Sequence, residues 1–336
     1  MGQSRWKGKE CEEEGDYAIV IPRIPGLVFF PRILPESLQR SLVVETLSHA
    51  RAPNLTSLDP HYHLPTEGLW ARWLARRGEE TVRRKDGAAE KAEMDVSGSS
   101  TPCSEGVVAA NVEYGTSQAV ELDERGATVR DLISKLRWSN VGWHYNWTTK
   151  LYEFERGHVP LSPLIYRCCR DLARLTPWHL VYESVTADGD RETSATSSAG
   201  QMRDWRSWKD AYEPDAGIVN FYQLKDSLTS HIDFSEVDAV SPLVSLSLGH
   251  SSVFLVGGTT RDVPPLPILL HSGDGLIMSG EGRRVYHALP RVLEGTLPSY
   301  LLAPQPDPVE GAESWTPYGE YLERGARINV NVRSVF

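Results

Sequence analysis

Cysteine is scarce in this chain. Four residues in 336 (Cys11, Cys103, Cys168 and Cys169) stand at irregular spacing, the last two adjacent. Adjacent cysteines rarely bridge each other and so few cannot staple a fold, so a disulfide framework is excluded and a reducing, intracellular setting is expected. Long apolar runs are also missing. No stretch approaches the roughly 20 residues that a membrane-spanning helix needs, so no membrane association is expected. The first sixteen residues are polar and acidic, with neither the apolar segment of a secretion signal nor the acid-poor, Arg-rich character of a transit peptide. Nucleus or cytoplasm is the expected location, with the mitochondrion left open. Positive charge is not in excess either. With 45 acidic against 35 basic residues the net charge is -10, which excludes a wholly basic surface shaped for nucleic acid but leaves room for a local basic groove.

Two polar stretches punctuate what is present. Residues 77–126 are rich in Glu, Lys, Ser and Gly, with too little apolar content to offset the entropy of ordering, and are expected to be a disordered insert. Thr186 to Gly200 reads the same way. The expected organisation is a disordered N-terminus over 1–16, a strand and helix extension over 17–76, the insert, and a main domain over 127–336. In the extension, Ile24 to Phe30 suggests a strand. Pro35 to Leu47 suggests an amphipathic helix with Pro in its first turn and Leu38, Leu42 and Leu47 on one face. Leu161 to Leu175 suggests a second helix with Leu164, Cys168 and Leu172 as its stripe.

After Gly217 the texture changes to short β-type runs bounded by Gly, Pro, Asp and Ser. They are Ile218–Tyr222, Leu243–Leu248, Ser252–Val256, Pro267–Leu270, Leu276–Met278, Arg284–Tyr286 and Arg327–Arg333. Such spacing indicates a sandwich or barrel of antiparallel strands, not a parallel sheet. In Leu243–Leu248 the alternation is plain: Val244, Leu246 and Leu248 face one way, Ser245 and Ser247 the other.

The chemistry concentrates in these runs. His231 and Asp233 lie two apart, which turns both side chains to one face of an extended strand. A later His287 would complete a set of two imidazoles and one carboxylate. That set leaves octahedral positions open, as non-heme Fe(II) oxygenases require, although a lone His287 also reads as a core histidine. Arg327, Asn329, Asn331 and Arg333 share one face of the last run, with Ile328, Val330 and Val332 on the other. Guanidiniums pointing into a barrel need an anion to meet them, and forked recognition of a carboxylate suits Arg; a solvated edge strand is the alternative. Asn220 and Tyr222, again two apart, offer an amide and a phenol on the opening run.

In this order and spacing, Asn220-x-Tyr222, His231-x-Asp233, His287 and Arg327-x-Asn329-x-x-x-Arg333 resemble the AlkB family of Fe(II)/2-oxoglutarate dioxygenases. Leu136-Arg-Trp138, Trp143-His-Tyr-Asn-Trp147 and His271 to Gly280 resemble its homologue-one branch. The resemblance runs from about Ile24 to Phe336. It implies a mainly β (α+β) fold, a double-stranded β-helix or jelly-roll core buttressed by N-terminal helices. It implies Fe(II) held by His231, Asp233 and His287. It further implies 2-oxoglutarate held by Arg327 and Tyr222 at its distal carboxylate and by Asn220 and Arg333 at the carboxylate beside the keto group, with Asn329 the motif residue of the last strand. The implied reaction consumes dioxygen and 2-oxoglutarate, releases succinate, CO2 and formaldehyde, and demethylates a base of methylated DNA or tRNA. Asn331 stands where the family usually has Thr.

The segment from Arg137 to Tyr152 interleaves Trp138, Trp143, Tyr145, Trp147 and Tyr152 with Arg137 and Lys150 and contains no acid. Aromatic faces among cations suit an unstacked base and its phosphate, and packing between helix and sheet suits them equally. Arg137, Trp143, His144 and Tyr145 are the candidate base contacts, and a monomer is expected. Rival readings are a protein hydroxylase or demethylase with the same iron chemistry, and a binding module without turnover.

Overall fold

The computed structural model describes residues 17–85, 114–115, 126–182, 205–233, 238–303 and 315–336. The expected disordered N-terminus, most of the polar insert and the Thr186–Gly200 run lie outside the described residues.

In chain order the strands are β1 (Ile19–Val20), β2 (Leu27–Phe30), β3 (Thr81–Val82), β4 (Tyr114–Gly115), β5 (Ala127–Thr128), β6 (Trp138–Gly142), β7 (Tyr145–Asn146), β8 (Leu151–Tyr152), β9 (Ala216–Tyr222), β10 (Ser227–His231), β11 (Leu243–Gly249), β12 (Ser252–Val256), β13 (Leu266–Leu270), β14 (Gly275–Met278), β15 (His287–Val292) and β16 (Arg327–Arg333). Two antiparallel sheets dominate. The larger runs β1-β2-β14-β11-β16-β9-β6 and the smaller β13-β12-β15-β10-β4. They face each other across Leu27, Leu276 and Met278 on one side and Phe254, Val256, Ile268 and Leu270 on the other, the jelly-roll arrangement.

The outer face of the large sheet is covered by helices. Val219, Phe221, Val244, Leu246, Leu248, Ile328, Val330 and Val332 of β9, β11 and β16 are all fully buried there, in one cluster with helix residues such as Leu42, Leu47, Ile165 and Leu172. The helix Glu36–His49 follows Pro35, whose fixed φ suits a helix start. It buries Leu42, Val43 and Leu47, and its Gln39 joins the turn between β13 and β14, accepting a hydrogen bond from Ser272 Oγ at 2.6 Å. The helix Pro163–Leu175 is capped by Ser162, whose hydroxyl accepts from the Leu164 and Ile165 amides.

Three expectations are corrected. The buried stripe of the helix Pro163–Leu175 is Ile165, Cys169, Leu172 and Ala173, while Leu164 and Cys168 are only half-buried. Residues four apart advance 400°, so both stripes are helical, and contact with the sheet selects between them. Arg284–Tyr286 is not a strand. Gly280–Arg284 forms a 3-10 turn, with Gly280 at φ +51° and a Cβ there only 2.6 Å from the Tyr182 hydroxyl; β15 begins at His287. The polar segment is ordered at its start. Arg77 and Arg72 both bond Glu80, Lys85 donates to the Asp59 carbonyl, and β3 pairs with β5 to bury Val82. Within the same insert, β4 adds an edge strand to β10. Charge composition alone overlooked these local pairs.

Candidate active site

Between the sheets lies a cavity of about 370 Å³. Its floor is set by register. In the β10–β15 pairing His231 stands directly opposite His287, after a bulge in the ladder, and the imidazole centroids are 4.3 Å apart. Asp233 lies two residues past His231, with Oδ1 3.7 Å from His231 Nε2. Ligand atoms of His231, Asp233 and His287 all fall within 4.8 Å of one another.

Each imidazole is oriented by the backbone. His231 Nδ1 donates to the Thr229 carbonyl at 2.8 Å and His287 Nδ1 to the Val285 carbonyl at 3.2 Å. A carbonyl can only accept, so Nδ1 carries a proton in each ring and Nε2 is the atom left to meet a metal, the orientation a metal-binding histidine needs. Burial, followed by the neighbouring His231, pulls His287 down to about 4, so it is neutral near pH 7. Burial alone would raise the Asp233 carboxyl, but Arg333, His287, His231 and Arg283 outweigh it and hold Asp233 well below the ordinary carboxylate range. Arg333 Nη1 is 3.6 Å from Asp233 Oδ2. Two imidazoles held through Nδ1, with Nε2 turned toward an ionised carboxylate, suit a divalent iron ion.

One wall is built by β9 and β16, whose register pairs the two polar sets residue for residue: Arg327 opposite Tyr222 and Asn329 opposite Asn220. Arg327 is completely buried. It donates from Nη1 to the His250 carbonyl at 3.0 Å and from Nη2 to Ser247 Oγ at 2.9 Å, while its Nε finds no acceptor among the described residues. Among the described residues no carboxylate pairs with it, and burial lowers it to about 10 against the opposing influence of Tyr222 and Asp274, leaving it charged. A buried cation without a counter-ion is costly, and a dicarboxylate entering the cavity would supply one. Asn329 donates to Ser245 Oγ at 2.7 Å.

His231, Asp233, His287, Asn220, Tyr222, Arg327, Asn329, Arg333 and Tyr145 all line this cavity. Arg137, Trp143 and His144 do not. Arg137 is tied to Asp226 at 3.4 Å and to the Ser134 carbonyl at 2.9 Å. Trp143 packs against Phe154, His158 and Phe336. His144 is buried, its backbone bonded to Glu153. Trp147 and Lys150, named in the aromatic segment but not among its candidate base contacts, are present instead. The β7–β8 hairpin places Trp147 and Lys150 at the rim, with Lys150 Nζ 5.5 Å from the Trp147 ring and Tyr145 edge-on to it at 5.1 Å. Asn146 turns this hairpin by accepting from the Thr148 and Thr149 amides. The Asn-x-Thr-Thr string was the available signal. Ser245 and Ser247 were visible only as the polar half of an alternation.

The model of the 2OG-Fe(II) oxygenase superfamily matches residues 107–333 of this chain. Among curated proteins, the chain is 31% identical over 325 residues to "Nucleic acid dioxygenase ALKBH1" of Homo sapiens and 30% identical over 325 residues to that of Mus musculus. Each alignment covers 93% of this chain and 64% of the relative. It is 28% identical over 317 residues to "tRNA demethylase abh1" of Schizosaccharomyces pombe, covering 93% of this chain and 80% of the relative. The chain thus spans under two thirds of the length of the mammalian relatives. Among solved structures, "The structure of OsALKBH1" aligns over 92% of this chain and 97% of its own, at TM-score 0.47 and 17% identity.

Proposed function

Because the chain belongs to the 2OG-Fe(II) oxygenase superfamily, we propose that it is an Fe(II)- and 2-oxoglutarate-dependent dioxygenase that oxidatively demethylates bases of DNA or tRNA. The observation that carries this reading is the convergence of His231, Asp233 and His287 beside a fully buried Arg327 that pairs with no carboxylate among the described residues. Fe(II) held there would supply dioxygen activation, using two electrons from decarboxylation of 2-oxoglutarate to succinate and CO2 and so oxidising a methyl group that leaves as formaldehyde.

The chain's own groups do the holding. His231 and His287 present Nε2 and Asp233 its carboxylate, kept ionised by Arg333. Arg327, with Tyr222 opposite, takes the distal carboxylate of the cosubstrate, and Asn220 and Arg333 take the one beside the keto group. Asn329 buttresses this wall through Ser245. At the rim Tyr145, Trp147 and Lys150 offer ring faces and one cation to a base lifted out of its stack. The relatives named as a nucleic acid dioxygenase and a tRNA demethylase support a nucleic-acid substrate over a protein one.

The test supplies Fe(II), 2-oxoglutarate and ascorbate, and offers methylated tRNA, methylated duplex DNA, bubble DNA and a methylated histone peptide in parallel. Formaldehyde should appear with succinate from a nucleic acid, and Asp233→Ala should abolish it on every substrate. Turnover surviving in Asp233→Ala, or formaldehyde from the peptide alone, would refute the reading.

A further inference from the structure

A second cavity, of about 220 Å³, opens on the helical side of the large sheet. Trp70 and Trp73 come from the helix Leu69–Leu74, Arg130 from the helix Val129–Lys135, Tyr321 from the helix Thr316–Glu323 and Arg324 from its end. Gln223 follows directly on β9. None of these groups takes part in the chemistry proposed for the first cavity.

The inner part of this cavity holds unspent donors. Trp70 and Tyr321 are more than nine-tenths buried, and their rings meet edge-to-face at 5.5 Å. Among the described residues the Trp70 indole N–H has no acceptor, and the Tyr321 hydroxyl, which pairs with the Gln223 side chain, finds none for its own proton. Two buried donors left unmatched in one small cavity are costly, and a ligand carrying acceptor atoms would satisfy them. The outer part is cationic and aromatic. The guanidiniums of Arg324 and Arg130 lie 5.3 and 5.5 Å from the Trp73 ring centroid. Among the described residues Arg130 pairs only with the exposed Glu79, at 2.7 Å, and no carboxylate meets Arg324.

Inner donors ask for ring nitrogens or carbonyls, the Trp73 face for a flat ring, and the two guanidiniums for an anion. A nucleotide combines all three. The volume is below the roughly 300 Å³ at which pockets for drug-sized ligands begin, so it suits one base and not a folded strand. We propose that this cavity seats one nucleoside monophosphate unit, separate from the base that is oxidised, with the base against Trp73 and the phosphate on Arg324 and Arg130. The unit is either free or part of the substrate chain. This rests on the nucleic-acid reading given above.

Titration of the whole protein tests it, with AMP, GMP, CMP and UMP in one arm and a short unmethylated single-stranded oligonucleotide in the other. Wild type is compared with Arg324→Glu, an exposed change that reverses the charge over Trp73, and with Trp73→Leu, which leaves charge intact; thermal melts check the folding of both. Each variant should weaken binding about tenfold or more, while 2-oxoglutarate consumption without substrate stays at the wild-type rate. Weakening in the mononucleotide arm assigns a free nucleotide, and weakening confined to the oligonucleotide arm assigns the chain. Unchanged binding in both variants, or weakening by Arg324→Glu alone, would overturn the proposal, the latter by reducing it to surface charge. Wild-type protein that binds nucleotide but releases no formaldehyde would leave this cavity standing and defeat only the demethylation reading.

Discussion

The two faces of β9, β11 and β16 are buried to nearly the same extent and put that burial to opposite uses. Outward, Val219, Phe221, Leu246, Ile328 and Val330 pack against helices with no exposed surface. Inward, alternate positions of the same strands carry Asn220, Tyr222, Ser245, Arg327, Asn329 and Arg333, closed off around a cavity instead of filling one another's gaps, with Ser247 bonded to Arg327 behind them. The apolar face draws its stability from contact and desolvation. The polar face spends stability to hold donors ready for an anion. Stability and ligand recognition are therefore separable within a single strand, one residue apart.

That separation can be broken at three points. Phe221→Ala, on the apolar face, should cost about 3–5 kcal/mol in urea unfolding, while the 2-oxoglutarate concentration needed by the remaining folded protein stays unchanged. A shift in that requirement as large as the stability loss would show that the faces are coupled. Arg327→Met, on the polar face, should raise the 2-oxoglutarate requirement about tenfold to a hundredfold, with stability unchanged or improved, because a buried cation is exchanged for an apolar chain of similar length. A large drop in melting temperature would mean instead that Arg327 is a structural strut through His250 and Ser247. Ser245→Ala removes one of the two acceptors of the Asn329 amide, the Leu246 carbonyl remaining, and should cost about 0.5–1.5 kcal/mol, read as a few-fold rise in the 2-oxoglutarate requirement. No change there would move Asn329 out of the cosubstrate wall.

Much of this was legible beforehand. The run Arg327–Arg333 is the strand β16 to the residue, because strict alternation of polar and β-branched residues over seven positions fits no helix. The His231 and Asp233 pair was readable for the same local reason. The aromatic segment was less so. Of the four residues singled out there, Tyr145 reaches the cavity, while Trp143 and His144 are turned into other packing by the hairpin that brings in Trp147 and Lys150. Composition names the side chains of such a segment, but a tight turn decides which way each one points. The start of the polar insert was misread because charge counting does not register that Arg72, Arg77 and Glu80 fall within reach of one another.

The second cavity was not legible at all. Trp70, Arg130, Gln223 and Tyr321 come from four distant parts of the chain, and each is unremarked in its own neighbourhood.

By itself, the order of residues determined which side chains share a face, because a strand alternates at every step and that rule needs no partner. Only the tertiary structure decided what each face meets. The pairing of β10 with β15 brings His287, more than fifty residues away in sequence, opposite His231 with centroids 4.3 Å apart, and the pairing of β9 with β16 sets Tyr222 against Arg327. Register is a property of two segments at once, selected by the packing of the whole sandwich.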